Sequence, residues 1–178
     1  MGVRHLTIVK MDGKNVVAQY GQWDGQPIKC GKTIIEFLHG SSIETFKEQL
    51  KKVEFLTEEN NMDEYLLNCY EQIGVEKGRE DITYQEEEKF AEVFPELWRD
   101  IGAEILNFIL VSKKEKLFLL NNSEFENNVG SCAFIHTLDL DKDVYSISSK
   151  GITIFSTSIS KPIDENEFLN ICEKNKWF

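Results

Sequence analysis

With 178 residues, the chain is long enough for one domain with a substantial core and too short for two independent ones. An apolar fraction of 41% with twelve phenylalanines excludes a disordered chain, despite 29% charged residues. A formal charge of −11 repels phosphate backbones and anionic lipid heads, which excludes general nucleic-acid binding but not a local basic pocket for one small anion.

Val3 to Lys10 and Asn15 to Gln22 are two β-rich runs, and Asp12-Gly13 between them favours a tight hairpin turn. Leu6 and Ile8 share one face of the first strand and His5 and Thr7 the other, the pattern of a sheet with a buried and a more polar side. After a loop at Asp24-Gly25-Gln26-Pro27, Thr33 to His39 reads as a short helix capped by Gly40. Ser41 with Glu44 forms a capping-box pattern, opening a second helix along Ile43, Phe46, Leu50 and Val53. Met62 to Ile73 makes a third, ended by Gly74, and Val75 to Ile82 reads as an exposed loop. Thr83 with Glu86 opens a fourth helix that Pro95 breaks, and Leu97, Trp98, Ile101, Ile105, Phe108 and Ile109 predict a long central one. From Lys116 the period changes to strands at Leu117 to Leu120, Ser131 to Asp139, Val144 to Ser149 and Ile152 to Thr157. Asp164 with Glu167 starts a terminal helix whose Phe168, Leu169 and Cys172 face inward. Hairpin, helices, strands, helix is the order of a single α+β domain, with an antiparallel sheet packed against a helical middle segment.

Most candidate chemistry yields to a structural reading. Cys30, Cys69, Cys132 and Cys172 stand far apart with no C-x-x-C pair, so they carry neither zinc nor redox spacing. Asp139 to Asp143 begins like a calcium loop, but Val144 replaces the required glycine and Lys150 the required glutamate, which leaves a hairpin turn. His5, His39 and His136 show no metal-ligand spacing, although His5 and His136 face each other if the first and last strand blocks pair. No glycine-rich phosphate loop or nucleophile elbow appears, and Gly2 offers no side chain for an N-terminal-nucleophile hydrolase. The acidic runs at Glu86-Glu87-Glu88 and Glu48 to Glu54 read as solvated helix faces.

Gln19 to Gly25 is the exception. As packing, it is an edge strand with Tyr20 and Trp23 against the last helix. As a site, Tyr20 and Trp23 supply flat faces, Gln19 and Gln22 amides, Asp24 a carboxylate, and Arg4 and His5 join from the paired strand. Such a set suits a small polar, nucleoside-like or sugar-like ligand held by stacking and hydrogen bonds.

Met1-Gly2-Val3-Arg4-His5-Leu6-Thr7, Asp12-Gly13 and Val17-Ala18-Gln19-Tyr20-Gly21-Gln22-Trp23-Asp24-Gly25 resemble a family of phages, bacteria and fungi with no established activity. Asp100 to Leu106 and the strand ending Leu138 to Asp141 share the likeness. Where relatives continue with Tyr-Pro and a Gly-Gln-Gly, this chain has Gln26-Pro27 and Cys30-Gly31-Lys32. The resemblance implies a binding role at the opening motif and, through a phage origin, the sequestering of a nucleotide signal of host defence.

The leading expectation is therefore a non-catalytic binding module without cofactor or metal, using Arg4, His5, Gln19, Tyr20, Gln22, Trp23 and Asp24. Two other classes stay open: a hydrolase or lyase, N-terminal-nucleophile-like or using His5 or His136 with Asp24, and an inhibitor that engages a partner protein through its acidic faces. No signal peptide and no membrane-length apolar run is present, so a cytoplasmic protein without a membrane partner is expected, with homo-oligomerisation open. Leu6 stands where an N-myristoylation pattern needs Ser or Thr.

Overall fold

The computed structural model describes residues 2–77, 79, 81–128 and 130–178. Met1 of the opening motif, Gly78 and Glu80 of the expected loop, and Val129 lie outside the described residues. Five strands form one sheet in the order β2-β1-β5-β6-β7: β1 is His5–Met11, β2 Lys14–Gly21, β5 Phe134–Asp139, β6 Val144–Ser149 and β7 Ile152–Ser158. The helices α1 (Lys32–Gly40), α2 (Ile43–Leu50), α3 (Met62–Gln72), α4 (Tyr84–Val93) and α5 (Ile105–Val111) fall between the two strand blocks, and α6 (Glu165–Asn175) follows them. This is the expected α+β architecture, and no helix among the described residues is long and apolar enough to cross a membrane.

One junction of the five-stranded sheet departs from the expected antiparallel pairing. Three strand pairs are antiparallel, but β1 and β5 run parallel, with His5 beside Phe134, Thr7 beside His136 and Val9 beside Leu138. The whole helical segment connects them, the long crossover that a parallel pair requires. A small second sheet pairs β3 (Val53–Phe55) with β4 (Leu117–Leu119), also in parallel.

β1 is paired along both edges, and both of its faces are covered as well. Leu6 and Ile8 pack with Cys132, Phe125 and Ile135 on one side. On the other, Val9 joins Val17, Leu138, Tyr145 and Ile147 in the main core with Ile34, Phe46, Ile105 and Phe168 from the helices. His5 and Thr7 share this helix-facing side and are buried, so the face expected to be the more polar one is interior. A separate cluster of Leu56, Cys69, Ile73, Val75, Phe90, Phe94 and Leu97 joins α3 and α4, which corrects the reading of Val75 as part of an exposed loop.

The helix ends follow their capping chemistry with one shift. Ser42, not Ser41, caps α2 by accepting from Thr45 N–H at 3.2 Å. Thr83 and Glu86 form the full capping box of α4, and Asp164 accepts from Asn166 and Glu167 N–H. The long helix expected over Leu97 to Ile109 is divided into a 3-10 turn at Pro95–Leu97, an irregular segment, a 3-10 turn at Gly102–Glu104 and then α5. Gly102 has φ +55°, and Gln19 Nε2 lies 3.4 and 3.2 Å from the Trp98 and Arg99 carbonyl oxygens that a helix would use.

The aspartate turn is a fastening. Asp141 accepts from the N–H groups of Asp12 and Gly13, both at 2.9 Å, joining the β5–β6 turn to the β1–β2 turn. Asp143 accepts from Ser160 N–H at 2.8 Å and from the Ser158 hydroxyl at 2.6 Å.

A π-helical turn, Pro27–Gly31, leads into α1 and brings Gly31 against the core. A Cβ there would stand 2.8 Å from Phe168 Cζ and 3.3 Å from Ile147 Cδ1. Alanine gains about 1 kcal/mol over glycine in a helix, whereas overpacking a close-packed core costs about 1–3 kcal/mol. Gly31→Ala is therefore expected to be destabilising, seen as a lower urea midpoint at unchanged m-value.

Candidate ligand-binding site

His5 opens β1, and its ring sits in a space that three glycines leave free. A Cβ on Gly21, its partner in β2, would lie 2.2 Å from the ring Cε1. One on Gly25 would lie 2.6 Å from His5 Cβ, and one on Gly102 would lie 3.1 Å from Nε2. The side chain is only 3% exposed, and neither ring nitrogen has a well-formed hydrogen bond. Burial pushes the imidazole down to about 4, against smaller upward pulls from the Val3 carbonyl and the carboxylates of Asp24 and Asp100. At neutral pH the ring is uncharged, with the Val3 carbonyl beside its N–H and no donor to its other nitrogen.

His136 lies beside it, with ring centroids 6.0 Å apart in an edge-on arrangement, as pairing of the strand blocks requires. Its hydrogen bonds are complete. Nε2 is 3.0 Å from the Gly25 carbonyl, an acceptor only, so the proton sits there, and Nδ1 accepts from the Tyr145 hydroxyl at 2.9 Å. Burial, and then the neighbouring His5, push it down to about 3. His136 thus latches the Gly25 loop to the sheet. His39 lies apart, bonded to the Ile163 carbonyl at 2.9 Å.

His5 forms the floor of a cleft of about 480 Å³ walled by Trp23, Asp24, Lys29, Asp100 and Glu104. Trp23 is 57% exposed, and Asp24 Oδ1 pairs with Lys29 Nζ at 2.5 Å. Cys30 also lines the cleft, but burial holds its thiol far above the usual range, against an opposing pull from the Thr7 hydroxyl. Thr7 Oγ1 is buried and, like the His5 nitrogens, has no well-formed hydrogen bond. No group of three or more His, Cys, Asp or Glu among the described residues is placed to hold a metal ion. Across the Trp98 to Asp100 segment lies a second, aromatic-walled cavity of about 320 Å³ with Tyr70, Phe90 and Trp98.

The residues expected to share one rim are divided between the faces of the sheet. His5, Trp23 and Asp24 meet at the cleft. Tyr20 points the other way, edge-on to Phe125 at 4.9 Å, and lines a different hollow with Asn121 and Asn122. Its hydroxyl donates to Gln22 Oε1, and the charge of Arg4 acts on Cys132, in the cluster under that same face. Strand alternation is the reason: Leu6 pairs with Tyr20 and His5 with Gly21, so neighbouring positions face opposite sides. Gln19 is buried and holds carbonyls, so it positions the cleft wall without reaching into the cleft. Gln22 does the same through its N–H, which donates to Asp100 Oδ1 at 3.0 Å.

The motif and the Trp98 to Gly102 segment therefore build one wall together. Sequence reasoning did not place Asp100, Gly102, Glu104 or Cys30 in the site, because their spacing from His5 follows no local motif. No protein-family model matches this chain, and no curated protein or solved structure matches it.

Both buried histidines make stability depend on pH. An unfolded imidazole takes up its proton near pH 6.5, whereas the folded values are about 4 and about 3. Their contribution is complete above pH 6.5 and is lost as pH falls toward those values, by about 1.4 kcal/mol per pH unit for each histidine. Urea unfolding at steps from pH 7 to pH 5 should show this slope, and His5→Phe should remove about half of it. In a double-mutant cycle, Gly21→Ala should cost about 1 kcal/mol or more less in the His5→Ala background, because the Cβ clash is with the imidazole.

Proposed function

We propose that this protein is a binding module that holds a small polar ligand in the His5 cleft without transforming it. The observation that carries this reading is His5 itself: a buried, neutral imidazole lining the cleft, with the Val3 carbonyl near its ring and neither nitrogen in a well-formed hydrogen bond. Leaving a buried polar group unanswered costs about 1–3 kcal/mol, and a ligand that bonds it recovers that cost on binding. Trp23 adds an exposed flat face and Asp24 an exposed carboxylate at the mouth.

The chemistry of the neighbours supports binding over turnover. His136 has both nitrogens engaged, the Cys30 thiol is held protonated, and Asp24 is paired with Lys29. A nucleophile and base within hydrogen-bond reach, oriented by a third group, is the arrangement that covalent catalysis needs. His5 has no such partner.

The test is a titration of the protein with nucleotides, sugars and amines, followed by long-range proton–nitrogen correlation of the imidazoles and by Trp23 fluorescence. A bound compound should shift the His5 ring nitrogens and leave those of His136 in place. At a ligand concentration of about 100 Kd, stability should rise by about 2.7 kcal/mol. Binding that survives His5→Phe at unchanged affinity, or a panel that leaves the His5 nitrogens unmoved, would sink the proposal.

A further inference from the structure

We infer that the group the His5 cleft accepts is an organic cation, a protonated amine or guanidinium on an apolar stem, and not a phosphate or carboxylate. This rests on the reading of the cleft as a ligand site and specifies the charge of its occupant.

The first observation is the surplus of carboxylates. Asp24, Glu36, Asp100 and Glu104 line the cleft against Lys29 and Lys32. Both lysines are already engaged, Lys29 by Asp24 at 2.5 Å and Lys32 by Glu36 and Glu165 at 3.3 and 3.4 Å. Asp100 is only 15% exposed, its Oδ2 lies 3.5 Å from Arg99 Nε, and its Oδ1 accepts from Gln22 N–H. The contact of Glu104 is neutral, the Asn107 amide donating to its Oε2 at 3.1 Å. The cleft thus carries more negative charge than its cations answer, within a chain of net charge −11 that draws cations and repels anions.

The second observation is that the entry to α1 offers an anion no free N–H. A helix start binds phosphate through free N–H groups. At Pro27 there is no N–H, Ile28 N–H donates to the Trp177 carbonyl at 3.4 Å, and those of Lys29 and Cys30 donate to the Gln26 carbonyl at 2.9 and 3.0 Å.

The third observation is what the uncharged parts need. The N–H of the neutral His5 ring has the Val3 carbonyl beside it, so what the ring lacks is a donor to its other nitrogen, which an ammonium or guanidinium N–H can supply and an ionised phosphate or carboxylate cannot. The exposed indole of Trp23 offers the face over which a cation or its alkyl stem lies. Carboxylate, bare acceptor and indole face together select one sign of charge.

The experiment compares probes of one shape and three charges. Benzylamine, benzyl alcohol and benzoate, with agmatine and AMP beside them, are titrated calorimetrically into the full chain and into Glu104→Gln and Asp100→Asn, which keep the size of the side chains. Benzylamine or agmatine should bind about tenfold more tightly than benzyl alcohol, and each variant should weaken amine binding about tenfold while leaving benzyl alcohol unchanged. If AMP, benzoate or benzyl alcohol binds as tightly as the amines, or if both variants leave amine affinity intact, the cation inference is overturned and the site reading stands. If no probe binds or moves the His5 nitrogens, both fall.

Discussion

The parallel pairing of β1 with β5 is the constraint on which the site depends. It places Thr7 beside His136 and His5 beside Phe134, and so brings two buried imidazoles into contact. It also moves β1 from the edge of a hairpin to the interior of a five-stranded sheet, where no position faces water freely. An imidazole in that setting is held neutral, since burial penalises the charged form most. The two rings then differ only in what surrounds them: His136 meets an acceptor and a donor, and His5 meets glycines.

The remaining architecture fixes the walls around that floor. His136 holds the Gly25 carbonyl, the Gly25 N–H donates to the Val3 carbonyl, and the loop carrying Trp23 and Asp24 is thereby tied to both sides of the parallel junction. Opposite, Gln19 and the Gln22 N–H grip Trp98 to Asp100, which lets Gly102 turn in under His5. The clustered amides are thus internal fasteners whose geometry determines the cleft. Held from both sides, the cleft is largely preformed, which reduces the ordering cost that binding must overcome.

Much of the fold was legible because it is written in local chemistry. The Asp12-Gly13 turn, the Thr83 and Glu86 capping box, the break at Pro95 and the Asp164 cap all act within a few residues, and the structure uses each of them. What escaped is non-local. The division of the Leu97 to Ile109 stripe depends on Gln19 reaching over from another element, although the apolar period there is unbroken. The same holds for the site: Trp23, Asp24 and His5 were visible as an unusual cluster, but strand alternation removed Arg4 and Tyr20 from it. Three glycines became meaningful only once a ring was seen to occupy the space beside them.

The position of β1 also sets an order of assembly. Its antiparallel partner β2 follows at once through a short turn, whereas its parallel partner β5 arrives only after every helix but the last has been synthesised. Contacts between distant segments carry the larger loop-closure cost and form late. Until β5 docks, the nascent hairpin has an open inner edge and His5 remains wet and free to take a proton. Closing that edge buries the ring, and so the same strand pairing that completes the sheet also lowers the affinity of the cleft floor for a proton.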